Sequence, residues 1–180
     1  MLSPRISTDH LSLRIINSSD TDQIYHIFSD ADVCRYWSAE VMTDKKEAEQ
    51  FIETVHRGME DGSLLEWGIT LRGKSELIGT GAYSAWNKKH RTAEIGFALR
   101  RDVWGKGYMK EFLGPFLNWG FEELDLHRIQ ADVDPRNLAS LSLLEYYGFR
   151  KEGMLRECYR LNNEIQDAVI LGLLRPDFKY

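Results

Sequence analysis

The chain has 180 residues, of which 43% are hydrophobic and 28% charged, and its formal net charge is −5. This length predicts a single domain over residues 1–180, with a core at about 11–175 that needs no metal or disulfide. The acidic balance argues against nucleic-acid binding, and no apolar run approaches the ~20 residues that a membrane helix needs. Two cysteines and five histidines show no ligand spacing, so we expect no metal site and a cytoplasmic protein with reduced thiols.

Apolar periodicity predicts the elements of the first half of the chain. Apolar residues alternate over 11–15 and predict a strand, and capping residues at 17–20 precede a short helix. A longer helix begins after Thr43, carries one apolar face and ends near Gly62. Two strands follow at 64–71 and 76–85, joined by a turn at 72–75.

The second half alternates strands with helices. A strand contains Ile95, and the helix from Tyr108 to about Leu124 contains Gly114-Pro115, where we expect a bend rather than an end. The remaining elements are a strand at 129–133, a helix at 137–147 and a buried last strand at 168–174. This order predicts an α/β fold with one mixed sheet of about six to seven strands flanked by helices.

The segment Gly68–Ser75 matches the nucleotide-binding P-loop letter for letter. A P-loop requires a helix directly after the glycine-rich loop, because the helix N-terminus receives the phosphates. Here the residues before and after the turn both predict strands. We therefore predict a hairpin turn, and nucleotide hydrolysis stays a rival that would show stabilisation by Mg-ATP.

A second glycine-rich segment, Arg100–Glu111, joins a predicted strand to a predicted helix. The first N–H groups of a helix lack internal partners, and the helix dipole favours an anion there. Gly105 and Gly107 allow backbone to approach a phosphate closely, and Lys106 adds a positive charge. The alternative is a tight connection with a glycine turn.

Several short motifs occur in an order and spacing that are specific only when taken together. They are Asp32–Trp37, Ala93–Gly96, Trp104–Tyr108, Phe121–Ile129, Asn137–Ser140, Tyr147–Phe149, Glu152–Gly153, Leu155–Glu157 and Asp167. Over nearly its whole length the chain resembles the GCN5-related N-acetyltransferase (GNAT) superfamily, and within it the ribosomal-protein N-terminal acetyltransferases. The resemblance implies acetyl-CoA as donor, with its pantetheine arm in a splay between the fourth and fifth strands.

The resemblance also implies which residues bind acetyl-CoA. Phe97 and Leu99 would offer backbone hydrogen bonds to the pantetheine, and Asn137 would contact the cofactor from the next helix. Around the pyrophosphate it places Trp104, Gly105, Lys106, Gly107, Tyr108 and Met109. Where the superfamily often has Arg or Gln, this chain has Asp102. Two alternatives stay open: backbone donors bind the pyrophosphate without that side chain, or Arg100 or Arg101 supplies charge.

Acetyl transfer to an amine requires a base, and Glu94, on the strand beside the splay, is the first candidate. Its pKa would have to be raised by burial, because an ordinary glutamate near ~4.3 is a poor base. The alternative is a half-exposed strand glutamate paired with Arg or Lys. Glu66 is a weaker candidate, and a backbone N–H near Phe97 or Ala98 would stabilise the oxyanion.

The proton donor and the acceptor site are less specified. Many superfamily members carry a tyrosine at the position of Leu144, so Ser140 is the candidate proton donor here. The alternative is that the Ser140 hydroxyl only satisfies a free backbone group in the first turn of its helix. Solvent is a second source of the proton. The acceptor site would be built from Tyr36 and Trp37, which equally fit a core. The segments 84–89 and 159–163 would complete it.

The sequence therefore predicts an acetyl-CoA-dependent N-acetyltransferase acting through a ternary complex, as a monomer or homodimer. The first acceptor is the α-amine of a protein such as a ribosomal protein, since an α-amine near ~8 deprotonates more easily than a lysine near ~10.4. The rivals are acetylation of a small amine (polyamine, amino acid or aminoglycoside) and a catalytically degenerate acetyl-CoA-binding module.

Overall fold

Seven strands form one sheet in the order β1-β2-β3-β4-β5-β7-β6. The computed structural model describes residues 6–161 and 164–180. The strands are β1 (Leu11–Arg14), β2 (Leu64–Leu71), β3 (Leu77–Asn87), β4 (Thr92–Leu99), β5 (Arg128–Val133), β6 (Arg150–Leu161) and β7 (Glu164–Leu174). Every neighbouring pair is antiparallel except β4 and β5, which are parallel. The predicted mixed sheet is confirmed.

Five α-helices accompany the sheet. They are α1 (Thr21–Phe28), α2 (Ala31–Cys34), α3 (Lys45–Asp61), α4 (Tyr108–Glu123) and α5 (Leu138–Tyr146). The sequence explains the ends of α3, because Asp44 and Glu47 form a reciprocal capping box and Gly62 adopts a left-handed conformation with φ 79°. Helix α4 continues through Pro115, as predicted. No helix among the described residues is long and apolar enough to cross a membrane.

Helix α4 packs on one face of the sheet, and helix α1 and the first half of α3 pack on the other. Val55 and Met59, in the second half of α3, join the hydrophobic cluster that contains α4. On the α4 face, Tyr83 stacks on Phe116 at 4.5 Å between ring centroids and donates a hydrogen bond to its carbonyl at 2.8 Å. Gly120 makes room for this ring, since a Cβ there would lie 2.3 Å from the Tyr83 hydroxyl. The opposite face buries Ala98 of β4 against the α1–α3 layer.

The parallel strands β4 and β5 pair only over Thr92–Glu94. Beyond Glu94 they separate, so the rest of β4 has a neighbour on one side only, the antiparallel strand β3. This is the predicted splay between the fourth and fifth strands. It leaves an open strand edge in the middle of the sheet.

Three features of the topology bear on the sequence predictions: two differ from them, and one decides between alternatives. Strand β6 was not predicted, because nearly all of its residues are exposed and no apolar alternation marks it. Strand β7 begins at Glu164 and not at Ala168. The P-loop-like segment ends β2 and forms the turn before β3, with Lys74 N–H donating to the Leu71 carbonyl at 2.9 Å, so the hairpin prediction is confirmed.

Replacing Gly79 in β3 with alanine tests the close packing of β3 on β4. The new Cβ would lie 2.2 Å from the Ala98 carbonyl oxygen, and backbone cannot move aside cheaply. We expect Gly79→Ala to lower the free energy of unfolding by about 1–3 kcal/mol in urea denaturation. The control is Gly153→Ala in β6, where nothing lies within 4 Å and the change should stay within about 0.5 kcal/mol. Equal effects of both variants would contradict the packing argument.

Candidate active site

A pocket of about 510 Å³ opens where β4 leaves β5. Four segments surround it: the α2 region, the end of β4, the glycine loop with the start of α4, and the first turns of α5. The lining residues include Asp32, Val33, Arg35, Tyr36, Trp37, Phe97, Ala98, Leu99, Trp104, Gly105, Gly107, Tyr108, Met109, Asn137, Ser140 and Leu143. Segments far apart in the sequence therefore converge at the splay.

The backbone of β4 presents hydrogen-bonding groups to this pocket. Arg100 N–H donates to the Ile78 carbonyl on β3 at 2.8 Å. Because backbone groups alternate between the two sides of an antiparallel strand, Phe97 and Leu99 turn theirs away from β3, toward the splay. Trp104 Nε1–H donates a hydrogen bond to the Leu99 carbonyl at 2.7 Å, so that carbonyl is already paired. Phe97 is thus the residue of β4 whose backbone groups are best placed for an extended ligand.

The N-terminus of α4 supplies the donors for an anion. Gly105 and Gly107 both have left-handed backbone, with φ 72° and 81°, which favours glycine. The first intrahelical bond is the one from Glu111 N–H to the Gly107 carbonyl, at 2.9 Å. The N–H groups of the three residues before Glu111 therefore lack intrahelical acceptors, and the helix dipole adds to their attraction for an anion.

The arginines beside the loop are already paired with carboxylates. Arg100 bonds to Glu76 and to Asp102, and the guanidinium lowers the pKa of Asp102 below its ordinary range. Arg101 pairs with Asp30 and Asp32. Neither arginine is therefore a free charge beside the loop in this structure. The backbone N–H groups of α4 carry the attraction for an anion.

Most of the residues predicted to bind the cofactor line this one pocket. Of the nine, Lys106 is the exception, since it is exposed on the outside of the loop. Tyr36 and Trp37, predicted for the acceptor, line the same pocket, as does Ser140. The pocket therefore brings together the predicted cofactor residues and part of the predicted acceptor site.

Glu94 lies on the sheet face opposite to the Phe97 side chain and belongs to a polar network. Gln130 Nε2 donates to Glu94 Oε1 and to Asp132 Oδ1, each at 3.4 Å, and the Tyr159 hydroxyl donates to Asp132 Oδ2 at 3.3 Å. Burial, and secondarily the negative charge of Asp132, raise the pKa of Glu94. The ion pair with Arg or Lys that was the alternative is absent from the described residues.

The first turn of α5 is capped without the Ser140 hydroxyl. Asn137 Oδ1 accepts from Ser140 N–H at 3.2 Å, so the amide side chain does the capping. Leu144 is fully buried, Tyr147 is buried and donates to the Lys110 carbonyl, and Tyr146 lies on the surface under the Lys110 ammonium. Ser140 is the hydroxyl of this helix that faces the pocket.

Glu66 is a buried carboxylate on β2, only 5% exposed. Helix α3 covers this part of the strand, with Leu64 packed directly against Gly58. Burial raises the pKa of Glu66 from an ordinary 4.5 to about 7, and the nearby Thr80 hydroxyl opposes this shift. A carboxylate with such a pKa exchanges protons near neutral pH.

Two parts of the site were missed or misplaced by sequence reasoning. Arg136 bonds to Asp134 and Glu164, each at 2.7 Å, and its guanidinium lies 5.7 Å from the Tyr36 ring centroid. The predicted acceptor loop at 159–163 is strand β6 up to Leu161, and residues 162–163 lie outside the described residues. No sequence spacing indicates the Arg136–Tyr36 contact. Leu143 could have been found, because it follows Asn137 and Ser140 at i, i+3, i+6 spacing and so lies on the same side of α5, facing the pocket.

A splayed parallel strand pair that opens onto a helix N-terminus is the architecture expected of an acetyl-CoA-dependent transferase. The comparison with known families agrees, since residues 10–150 match the family described as acetyltransferase (GNAT) domain. The chain belongs to this GNAT acetyltransferase family.

Relatives cover nearly the whole chain but differ in what they acetylate. The uncharacterized N-acetyltransferase YoaA of Bacillus subtilis is 36% identical over 96% of this chain and 98% of its own. The uS5-alanine N-acetyltransferase of Escherichia coli is 24% identical, over 97% and 92%. The structure of a Vibrio cholerae spermidine N-acetyltransferase with CoA and spermine superposes with a TM-score of 0.84, at 26% identity, over 94% and 98%.

The protein is thus an acetyl-CoA-dependent N-acetyltransferase. The free N–H groups at the start of α4 and the open backbone at Phe97 fit the two polar parts of the co-substrate, the pyrophosphate and the pantetheine amides. No three His, Cys, Asp or Glu side chains of residues 6–161 and 164–180 gather as a metal site would require.

The buried carboxyl of Glu66 predicts a pH-dependent stability. Because its pKa is higher in the folded protein than in the unfolded chain, the folded state binds more protons between pH 4.5 and about 7. Stability therefore falls over that range and levels off above it. We expect Glu66→Gln to match the original protein near pH 4.5 and to be more stable by about 3 kcal/mol at pH 8.

The measurement is urea denaturation across this pH range. Glu60→Gln, at an exposed position on α3, is the matched control and should leave the pH dependence unchanged. Parallel curves for the original protein and Glu66→Gln would show that Glu66 is ionised throughout.

Proposed function

We propose that this cytoplasmic enzyme transfers an acetyl group from acetyl-CoA to the N-terminal α-amine of a protein, such as a ribosomal protein. The observation that carries the proposal is the meeting, in one pocket, of the open β4 edge, the start of α4 and the Tyr36–Trp37 segment. This meeting supports direct transfer between two bound substrates, because donor and acceptor groups would share one space.

Backbone groups of β4 and α4 bind the donor, acetyl-CoA. Bound acetyl-CoA supplies a thioester carbonyl that the amine attacks and a thiolate that leaves. The N–H groups of Tyr108, Met109 and Lys110 hold the pyrophosphate, and the backbone of Phe97 bonds to the pantetheine arm. A backbone N–H at Phe97 also suits the developing oxyanion, since a fixed donor needs no reorganisation during the reaction.

Glu94 takes the proton from the acceptor amine, directly or through a water molecule. Its raised pKa supports this role, because a base whose pKa lies closer to neutrality accepts protons more effectively. Ser140 gives a proton to the leaving thiolate and regains one from solvent. Its hydroxyl is released from helix capping by Asn137, which supports that assignment.

The α-amine is favoured as acceptor by its lower pKa and by the likeness to a ribosomal-protein N-acetyltransferase. A small polyvalent amine is the second candidate, and a different observation favours it. Glu94 and Asp132 lie together beside the splay, and no lysine or arginine of the described residues pairs with either. An acceptor with more than one positive charge would match this surface.

Gly107→Ala tests the phosphate-binding role of the α4 N-terminus. The alanine must adopt a backbone φ near 81°, which costs about 1–2 kcal/mol, and the loop relaxes away from the geometry that binds the anion. We expect the Kd for acetyl-CoA, measured by calorimetry, to rise about tenfold. Gly73→Ala is the control, because it carries the same strain (φ 76°) in the β2–β3 turn and should leave the Kd unchanged.

Glu94→Gln tests the base assignment. We expect kcat to fall at least about 100-fold, because proton abstraction is lost, with the Kd for acetyl-CoA unchanged. The assay is thiol release from acetyl-CoA with a panel of peptide N-termini, polyamines, amino acids and aminoglycosides, and Glu60→Gln is the control. Undiminished turnover would remove Glu94 from the mechanism. If the original protein binds acetyl-CoA but acetylates none of these acceptors, the result would favour the catalytically degenerate acetyl-CoA-binding module.

A further inference from the structure

A chain of hydrogen-bonded polar side chains crosses the point where β4 and β5 separate. Arg128 Nη2 donates to Gln130 Oε1 at 3.2 Å, and Gln130 Nε2 donates to Glu94 Oε1 and to Asp132 Oδ1, each at 3.4 Å. The Tyr159 hydroxyl donates to the second oxygen of Asp132 at 3.3 Å. Of these side chains, only that of Glu94 has a role in the mechanism above.

The orientation of the Gln130 amide follows from its neighbours. A guanidinium has donors only, so Arg128 must face the amide oxygen, and the two amide hydrogens are left for the carboxylates. Arg128 is held in turn by two bonds to Glu152 on β6, at 2.7 and 2.5 Å. Gln130 therefore presents one N–H to Glu94 and the other to Asp132, which fixes the two carboxylates relative to each other.

The two carboxylates lie on opposite sides of the splay. Glu94 is the last residue of β4 that pairs with β5, and its partner there is Gln130. Asp132 is two residues further along β5, so its side chain points to the same face of the sheet as that of Gln130. At Asp132, β5 has already separated from β4 and pairs with β7, opposite Ile170. An amine that enters the splay next to Glu94 therefore approaches between the two carboxylates.

Among the described residues, Asp132 is the charged side chain that acts on Glu94. Burial, and after it the negative charge of Asp132, raise the pKa of Glu94. On β6, Tyr159 is under the influence of both carboxylates and of Cys158; burial and the hydrogen-bonded Asp132 raise the pKa of its phenol, so it stays a protonated donor at neutral pH. On β3, Ser84 lies opposite Glu94 and carries no charge.

We propose that Asp132 is a positioning residue for the acetyl transfer: Gln130 and Tyr159 hold its negative charge across the splay from Glu94, and this charge helps Glu94 take the proton of the acceptor amine. The inference rests on the proposed N-acetyl transfer with Glu94 as base. A negative charge close to a carboxylate favours its protonated form, so Glu94 accepts a proton more readily. The two hydrogen bonds keep Asp132 from turning into solvent, where water would weaken its effect.

The first experiment titrates Glu94 directly and does not depend on turnover. Carbon-13 NMR of protein labelled at the glutamate carboxyl carbons follows each carboxyl with pH, and the signal missing from Glu94→Gln is that of Glu94. Asp132→Asn removes the charge and keeps the shape of the side chain. We expect this variant to lower the titration midpoint of Glu94 by about 0.5–1 pH unit, the effect of one nearby like charge at a partly exposed site.

Further variants separate the charge of Asp132 from its placement. Asp132→Glu retains the charge and should keep the Glu94 midpoint close to that of the original protein. Tyr159→Phe keeps the ring and removes the hydroxyl that holds Asp132, so it should lower the midpoint by less than Asp132→Asn does. Asp22→Asn removes an exposed carboxylate from α1 and is the control, which should leave the midpoint unchanged.

The second experiment measures the pH dependence of kcat with an acceptor that the enzyme acetylates. The acid limb that Glu94→Gln abolishes belongs to Glu94. Asp132→Asn should move this limb to lower pH by as much as the NMR midpoint moves, and it should lower the plateau of kcat by about threefold, because a weaker base accelerates proton abstraction less. The Kd for acetyl-CoA should stay unchanged, since Asp132 does not line the pocket at the splay.

The outcomes separate this inference from the proposed function. A Glu94 midpoint that is the same in Asp132→Asn and in the original protein overturns the role of Asp132 and leaves Glu94 as the base. A lowered midpoint combined with undiminished turnover of Glu94→Gln overturns both assignments, because Asp132 then acts on a carboxyl that the reaction does not use. Binding of acetyl-CoA without acetylation of any acceptor overturns both as well.

Discussion

The site depends on one feature of the sheet, the short pairing of β4 with β5 over Thr92–Glu94. Backbone groups inside a sheet are normally paired with a strand on both sides, and β4 beyond Glu94 has a neighbouring strand on one side only. An extended ligand can therefore add itself to the strand edge at Phe97. Since α4 begins just after β4, the same open edge runs directly to the N–H groups at the start of that helix.

The site separates opposite charges by using different kinds of groups. The backbone N–H groups at the start of α4 are the groups available to an anion, because the nearby arginines form ion pairs with Asp30, Asp32, Glu76 and Asp102. On the opposite face, neither Glu66 nor Glu94 has a cationic partner among the described residues, and burial raises the pKa of both. An anionic donor and a cationic acceptor can thus approach from different directions without competing for one set of side chains.

The sequence predicts those parts of the fold and of the site that a local pattern of residues marks. Six of the seven strands were located because they bury at least one face, whereas exposed β6 has no apolar alternation. The cofactor residues are mostly neighbours in sequence around one strand–loop–helix, so a motif locates them together. The Arg136–Tyr36 and Asp132–Tyr159 contacts join segments that only tertiary packing brings together. The pairing of Arg100 with Glu76, and of Arg101 with Asp30 and Asp32, is equally long-range, so the sequence does not show that these charges are paired.

The buried carboxylate of Glu66 reduces the stability of the folded protein. An uncharged residue of the same shape would pack under α3 without the desolvation that burial imposes on a carboxylate. The nearby Thr80 hydroxyl offsets only part of this cost, because it lowers the pKa of Glu66 while burial keeps that pKa at about 7.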